Sequence, residues 1–227
     1  KTLSPGSVKN KYFTNVSNFF DYAVSAGILE TNPAVKVKIE APAGAPRIQR
    51  RPFTTEELNA IFSAPLFRGC HSEKRFNVPG SFKLRDHRFW VPLLALFSGC
   101  RLNELGQLHR SHVYQGQTGR WWLRITTQPD PENADEEERR LKSKAAQRIV
   151  PLHPFLVEIG FPAYVQALPD NDGDRRVFPR WERAADGFYS STFSKFFNER
   201  FLAKTVKIKV PEIVFHSLRH NFKDAMR

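Results

Sequence analysis

Along the first stretch of the chain, Val8, Tyr12, Val16, Phe19, Phe20, Ala23 and Val24 recur at helical spacing, with mostly polar residues between them. Ser4-Pro5 supplies an N-cap followed by proline at the first helical position, and Gly27 ends the run. Asn32-Pro33 restarts a short turn or helix. One amphipathic helix and a short partner cannot close a core by themselves. The segment up to about Ile39 therefore reads as the end of a helical domain that begins further upstream. Between Glu40 and Pro52 the periodicity is lost and Ala, Pro, Gly and Arg take over, which is the composition of a linker. Its basic residues Arg47, Arg50 and Arg51 suit a connector lying along an anionic surface, and suit a solvated connector equally well.

Periodicity returns at Thr54, where Thr54 to Glu57 predicts a capping box ahead of Leu58, Ile61 and Phe62. A strongly apolar helix is predicted from about Arg85 to Phe97, and it must be buried. Ser98-Gly99 breaks it, and a new amphipathic turn carries Leu102, Leu105 and Leu108 on one face. Trp121 to Thr126 is rich in β-formers and Gln147 to Leu152 alternates, so both read as strands. Between them lies a polar, acidic excursion, Pro129 to Glu138. Helices are predicted at Pro154 to Leu168, Ser190 to Ala203 and His216 to Arg227. The class is mainly α with a small antiparallel β-sheet (α+β), without an internal repeat.

Composition narrows what such a fold does. The 227 residues suffice for one large domain or two modest ones, and 41% hydrophobic residues exclude a disordered chain. The longest apolar run, Phe89 to Phe97, contains Pro92 and is half of the roughly 18 residues that a membrane span needs. No signal-peptide core opens the chain, and a membrane partner is not expected. Two cysteines, Cys70 and Cys100, make no disulfide framework and fit a reducing compartment. The net charge of +12 and isoelectric point near 10.0 change the picture most. Lysine and arginine recur from end to end, so the basicity belongs to the folded body, and a polyanion such as DNA or RNA leads the expected partners.

Three pieces carry candidate chemistry. Arg101 follows a glycine break at a helix start, with Glu104 three residues on, a spacing that suits a carboxylate holding a guanidinium but by itself reads first as a surface salt bridge. The segment Leu141 to Leu152 places Lys142 and Lys144 ahead of Arg148-Ile149-Val150-Pro151-Leu152, and a lysine at a hairpin tip can reach into a groove. In Phe215-His216-Ser217-Leu218-Arg219-His220, His216 and Arg219 share a helical face on which two hydrogen-bond donors suit a phosphate oxygen. His109 and His112 are three apart, but without further ligands around them no metal is expected.

Each piece is weak alone, and their order is specific. Gly99-Cys100-Arg101-Leu102-Asn103-Glu104-Leu105 resembles the Gly-x-Arg-x-x-Glu-Leu box of the tyrosine recombinase (phage integrase) family. Lys142 to Leu152 resembles its Lys-Thr-x-x-Ser-x-Arg-x-x-Pro-Leu hairpin, and His216 to His220 its His-x-Leu-Arg-His box. The resemblance covers almost the whole chain. It implies the tyrosine recombinase catalytic-domain fold over 53–227, a basic linker over 42–52, and the C-terminal part of a helical core-binding domain over 1–41.

The same resemblance implies roles. Arg101 and Arg219 would clamp the scissile phosphate, since a guanidinium stays charged and its fork matches two phosphate oxygens. Lys142 would protonate the leaving 5′-oxygen; Lys144 is the rival, and the nine-residue separation of Lys142 from Pro151 favours Lys142. His216 would hydrogen-bond the phosphate or assist proton transfer, Glu104 would orient Arg101, and His220 would be structural. Phosphates elsewhere on the duplex would meet Arg47, Arg50, Arg51, Lys144 and Arg148. The implied activity is site-specific recombination of double-stranded DNA through a covalent 3′-phosphotyrosine, without a cofactor or metal, in a bacterial or phage-encoded cytoplasmic protein.

The family's nucleophilic tyrosine lies beyond the His-x-x-Arg box, whereas Tyr12, Tyr22, Tyr114, Tyr164 and Tyr189 all precede His216 and the chain ends eight residues past Arg219. The expectation is a piece that binds DNA without cleaving it alone, monomeric where the full-length protein assembles as a tetramer on DNA. A non-catalytic basic DNA-binding protein with a recombinase-like fold is the main alternative. An RNA-binding protein would lack a reason for the ordered motifs. A metal-dependent nuclease would need a carboxylate cluster that Asp130 to Glu138 is too loop-like to form.

Overall fold

The computed structural model describes residues 6, 8–37, 48–126, 147–169 and 176–227. They belong to two compact units, Lys1–Ile48 and Gln49–Arg227. The predicted Ser4-Pro5 cap and the acidic excursion 129–138 lie outside the described residues, as do Arg47, Lys142 and Lys144. Among the described residues no helix is long and apolar enough to cross a membrane.

In the first unit a π-type stretch, Val8–Phe13, runs into helix α1, Thr14–Ser25. Gly27, at φ +71°, takes the left-handed conformation that stops it. Asn32 explains why the chain turns there. Its amide donates to the Ser17 carbonyl at 3.1 Å and to Asp21 at 2.6 Å, while its oxygen accepts from Ala34 N–H at 2.8 Å. Within this unit Ala23 and Ala34 are buried, whereas Phe19 and Tyr22 are exposed.

The second unit opens on the expected capping box. The Thr54 hydroxyl accepts from Glu57 N–H at 3.2 Å and the Glu57 carboxylate accepts from Thr54 N–H at 2.8 Å, starting helix α2, Thr55–Ser63. A single turn, α3 (Pro65–Arg68), follows. The apolar segment forms helix α4, His87–Ser98, capped by the Asp86 side chain and closed by Gly99 at φ +60°. Phe89, Trp90, Val91, Leu93, Leu94 and Ala95 are all buried, because α4 runs through the core with neighbours on every side. That includes Pro92, whose missing N–H costs the helix one hydrogen bond.

Helix α5, Leu102–Gly106, leaves the same break at Gly99 and buries Leu105 completely. A 3-10 turn at Arg110–His112 leads to the sheet, which runs β1 (Val113–Gln115), β2 (Trp121–Ile125) and β3 (Arg148–Pro151), antiparallel in that order. The register pairs Leu123 with Val113 and Val150, and Ile125 with Arg148. Leu123 and Ile125 therefore face the core, and β3 begins with an arginine beside it. Strand β1 has no counterpart among the predicted elements, because three residues beside two histidines offer no period to read.

The single helix predicted over Pro154 to Leu168 is two, α6 (Pro154–Glu158) and α7 (Phe161–Gln166). Gly160, at φ +89°, breaks the run and Pro162 opens the second helix, where a missing N–H costs nothing. The next predicted helix forms as α8 (Tyr189–Lys195), which widens into a π-type stretch, Phe196–Val206. Phe193, Phe197 and Phe201 follow one another at four-residue intervals, and all are buried; Phe197 also meets Phe215 edge-on. Helix α9, Ser217–Ala225, completes the unit and packs against α4.

His87, at the start of α4, stacks on Trp181 with ring centroids 5.7 Å apart. Burial, above all, lowers its pKa to about 4, against the opposing pull of Asp86. The folded value lies below the unfolded one, so the favourable contribution of the neutral ring is complete above the unfolded pKa. It is lost as pH falls, because the unfolded chain takes up the proton first. Unfolding monitored by denaturant should show about 1–3 kcal/mol of stability lost between pH 6.5 and 4. His87→Phe should flatten that dependence, and an unchanged slope in the variant would exclude His87 as its source.

Candidate functional site

The break at Gly99 brings the site together. Arg101 sits at the N-cap of α5 in extended conformation, with Glu104 on the first turn. The Glu104 carboxylate folds back to accept from Arg101 N–H at 2.8 Å and from the Arg101 guanidinium at 2.8 Å. From the sheet, Arg148 donates to the other carboxylate oxygen at 2.8 Å and more loosely to the first at 3.4 Å. It also donates to Cys100 Sγ at 3.5 Å. This is no surface salt bridge: the Glu104 side chain is 4% exposed, against 37% for Arg101 and 29% for Arg148.

Burial works to raise the Glu104 pKa, yet hydrogen bonds from Arg148 and from Arg101 outweigh it and hold the group below the ordinary carboxylate range. Burial also drives the Cys100 thiol upward, so it stays protonated and serves as a packing group and weak acceptor.

Arg219 reaches the same place from α9. Its guanidinium donates to the Gly99 carbonyl, which ties the first turn of α9 to the end of α4. Burial lowers its pKa first, and the neighbouring positive charge of Arg101 adds to that. Among the described residues, three guanidiniums thus converge where one carboxylate is present, so that positive charge is in excess there. An arrangement of that kind attracts an oxyanion.

His216 stands at the head of α9 with its ring accessible and T-shaped against His220, centroids 5.3 Å apart. Partial burial lowers its pKa, and His220, Arg219, Lys223 and Arg101 push in the same direction. A neutral imidazole offers one donor and one acceptor, which suits an anion or a passing proton. The turn ahead of it is pinned by Phe215 N–H donating to Asn198 at 2.8 Å and by Val214 N–H donating to Ser217 at 3.2 Å.

The structure therefore brings Arg101, Glu104, Arg148, Arg219 and His216 into one neighbourhood. Lys142, Lys144 and Arg47 fall outside the described residues. Arg50 donates to the Pro211 carbonyl, and Arg51 grips Glu57 through both nitrogens at 2.8 and 2.7 Å, so both are engaged within the protein. His112 Nδ1 accepts from His109 N–H at 3.2 Å and closes the 3-10 turn.

One positioning residue has no signal in the sequence. The Asn221 amide accepts from Phe53 N–H at 2.9 Å and donates to Phe53 O at 2.7 Å, clamping α9 onto the chain ahead of α2. A lone asparagine on a polar helix face does not announce such a contact.

The fold is that of the integrase catalytic domain: mainly helical, with a small three-stranded antiparallel sheet. Among solved structures the chain is similar to the Tn1549 transposon integrase in complex with transposon right end DNA, with a TM-score of 0.60 and 13% identity. The match covers 99% of this chain and 67% of that one. The same integrase in complex with a circular intermediate DNA gives a TM-score of 0.59 and 12% identity over the same shares. No family model and no curated protein matches the chain.

Gly99 bears on the site twice, through its carbonyl and through its missing side chain. A Cβ there would enter the space of the Phe222 ring, at a φ that L residues avoid. Gly99→Ala should cost about 2–4 kcal/mol of stability in denaturant unfolding, combining backbone strain with overpacking. A loss below about 0.5 kcal/mol would mean that Phe222 and α9 move aside freely.

Proposed function

We propose that the chain is the body of a site-specific DNA recombinase of the tyrosine recombinase kind. It binds duplex DNA and, in the full natural protein, cleaves and rejoins strands through a 3′-phosphotyrosine. The observation that carries this is the convergence of Arg101, Arg219 and His216 beside a buried carboxylate, with positive charge in surplus.

Arg101 and Arg219 supply fixed guanidinium forks for the two nonbridging oxygens of the scissile phosphate. Negative charge grows on those oxygens in the transition state, so cations already held in place are worth most at that moment. His216, whose pKa is lowered first by partial burial and then by its cationic neighbours, hydrogen-bonds the phosphate and can take or return a proton. Glu104 holds Arg101 in its working orientation. Lys142 protonates the leaving 5′-oxygen, with Lys144 as its rival. Residues 53–227 form the catalytic domain, 42–52 a basic linker and 1–41 part of the core-binding domain. The full natural protein assembles as a tetramer on its DNA. The likeness to a DNA-bound integrase supports this reading, as does the excess of basic residues over the whole chain.

Three measurements test it. The affinity of the chain for duplex DNA should fall steeply with salt, and Arg101→Met or Arg219→Met should each flatten the log–log slope by about 0.9. In the full natural protein, the same changes should slow covalent adduct formation on a nicked suicide duplex by roughly 100- to 1000-fold. Salt-dependent binding without any adduct would leave a non-catalytic DNA-binding protein of this fold. Slopes untouched by both substitutions would remove the phosphate site altogether. On binding DNA, the His216 pKa should rise as a phosphate adds negative charge beside the cations around it. Histidine ring NMR across pH 5–8 follows this directly, and a fall instead would place the phosphate elsewhere.

A further inference from the structure

Arg148 is in reach of the phosphate site yet is spent on the protein. Its two terminal nitrogens face both oxygens of Glu104, at 2.8 and 3.4 Å, and one also meets Cys100 Sγ at 3.5 Å. It leaves β3 opposite Ile125, a core position, so its strand register points it under the site rather than out of it. Glu104 makes two further contacts, both with Arg101: the backbone N–H at 2.8 Å and the charged guanidinium at 2.8 Å. A carboxylate this deeply buried is stable only when well-placed cations and further hydrogen bonds meet its oxygens.

We propose that Arg148 is a positioning residue: it neutralises the inner side of Glu104, so that Arg101 is oriented by that carboxylate without being consumed by it. The proposal rests on the reading of Arg101 as a phosphate ligand. It sets Arg148 apart from the residues that touch DNA.

The physical logic is a division of one negative charge between two cations. With Arg148 in place, Glu104 accepts a single side-chain hydrogen bond from Arg101, and the remaining guanidinium edge stays available to an incoming oxyanion. Without Arg148, the buried carboxylate keeps one ion-pair partner among the described residues. Arg101, the other cation paired with it among the described residues, is then drawn inward, and its pull on a phosphate weakens. The effect of losing Arg148 thus depends on the charge of Glu104. A direct phosphate contact has no such dependence, since it would be lost whatever residue 104 carries.

A double-mutant cycle separates the two. Binding of the chain to a mixed-sequence DNA duplex is measured over a range of salt near neutral pH, where Glu104 is ionised. Arg148→Met should flatten the slope by about 0.9, the equivalent of the Arg101 contact. In a Glu104→Gln background, where the amide still accepts from Arg101 and needs no counter-charge, adding Arg148→Met should leave the slope unchanged. A drop of about 0.9 in both backgrounds would make Arg148 a phosphate ligand and overturn the proposal. An unchanged slope for Arg148→Met alone, with only the melting temperature lowered, would overturn it as well, leaving a purely structural role. Should Arg148→Met not fold, Arg148→Gln removes the charge while keeping a polar side chain, and the Glu104→Gln comparison stands on a charge-balanced pair. Arg101→Met in the Glu104→Gln background is the control for the underlying reading. If it fails to flatten the slope, the phosphate site itself is wrong, an outcome distinct from any result at Arg148.

Discussion

The site is organised around one buried carboxylate. Glu104 lies almost wholly out of water, and a carboxylate so placed costs several kcal/mol unless cations and donors meet it. The fold provides them from separate parts of the chain, Arg101 from the start of α5 and Arg148 from the first residue of β3. The helical core and the sheet are therefore joined at a point where neither can shift without stranding a charge. That requirement explains why α5 starts so abruptly after α4, and why β3 begins with an arginine opposite a core isoleucine.

Around this anchor the positive charges sort by what they are tied to. Arg148 belongs to the carboxylate, whereas Arg219 is held by a backbone carbonyl and Arg101 is shared between carboxylate and solvent. His216 stands outside the ion pair, and partial burial, aided by the surrounding like charges, lowers its pKa. Such a cluster is electrostatically unfinished. Its members repel one another until an anion arrives, so part of the binding energy of that anion is the relief of repulsion already present in the fold.

Much of this was legible along the chain. The Thr54–Glu57 capping box, the buried run ending at Ser98 and the two longer strands follow from caps and periodicity, which are local. Arg101 with Glu104 and His216 with Arg219 were visible because each pair lies within one helical turn. What escaped was set by distance or by weak local signal. The break at Gly160 lies within a run whose apolar spacing continues through it, and β1 is too short to show alternation. The clamp between Asn221 and Phe53 joins residues far apart in sequence, each ordinary in its own context. Arg148 is a subtler case: its motif marks it, but only its pairing with a buried glutamate distinguishes a structural cation from one facing outward.

The Asn221 clamp has a mechanical side. Two hydrogen bonds from one side chain fasten α9 to the backbone of Phe53, just ahead of the cap of α2. Phe53 is itself buried in the core, so the clamp holds α9 to a packed wall two residues from Arg219. The helix that presents a guanidinium and an imidazole is in this respect also moored, part-way along its length, to the core that it closes.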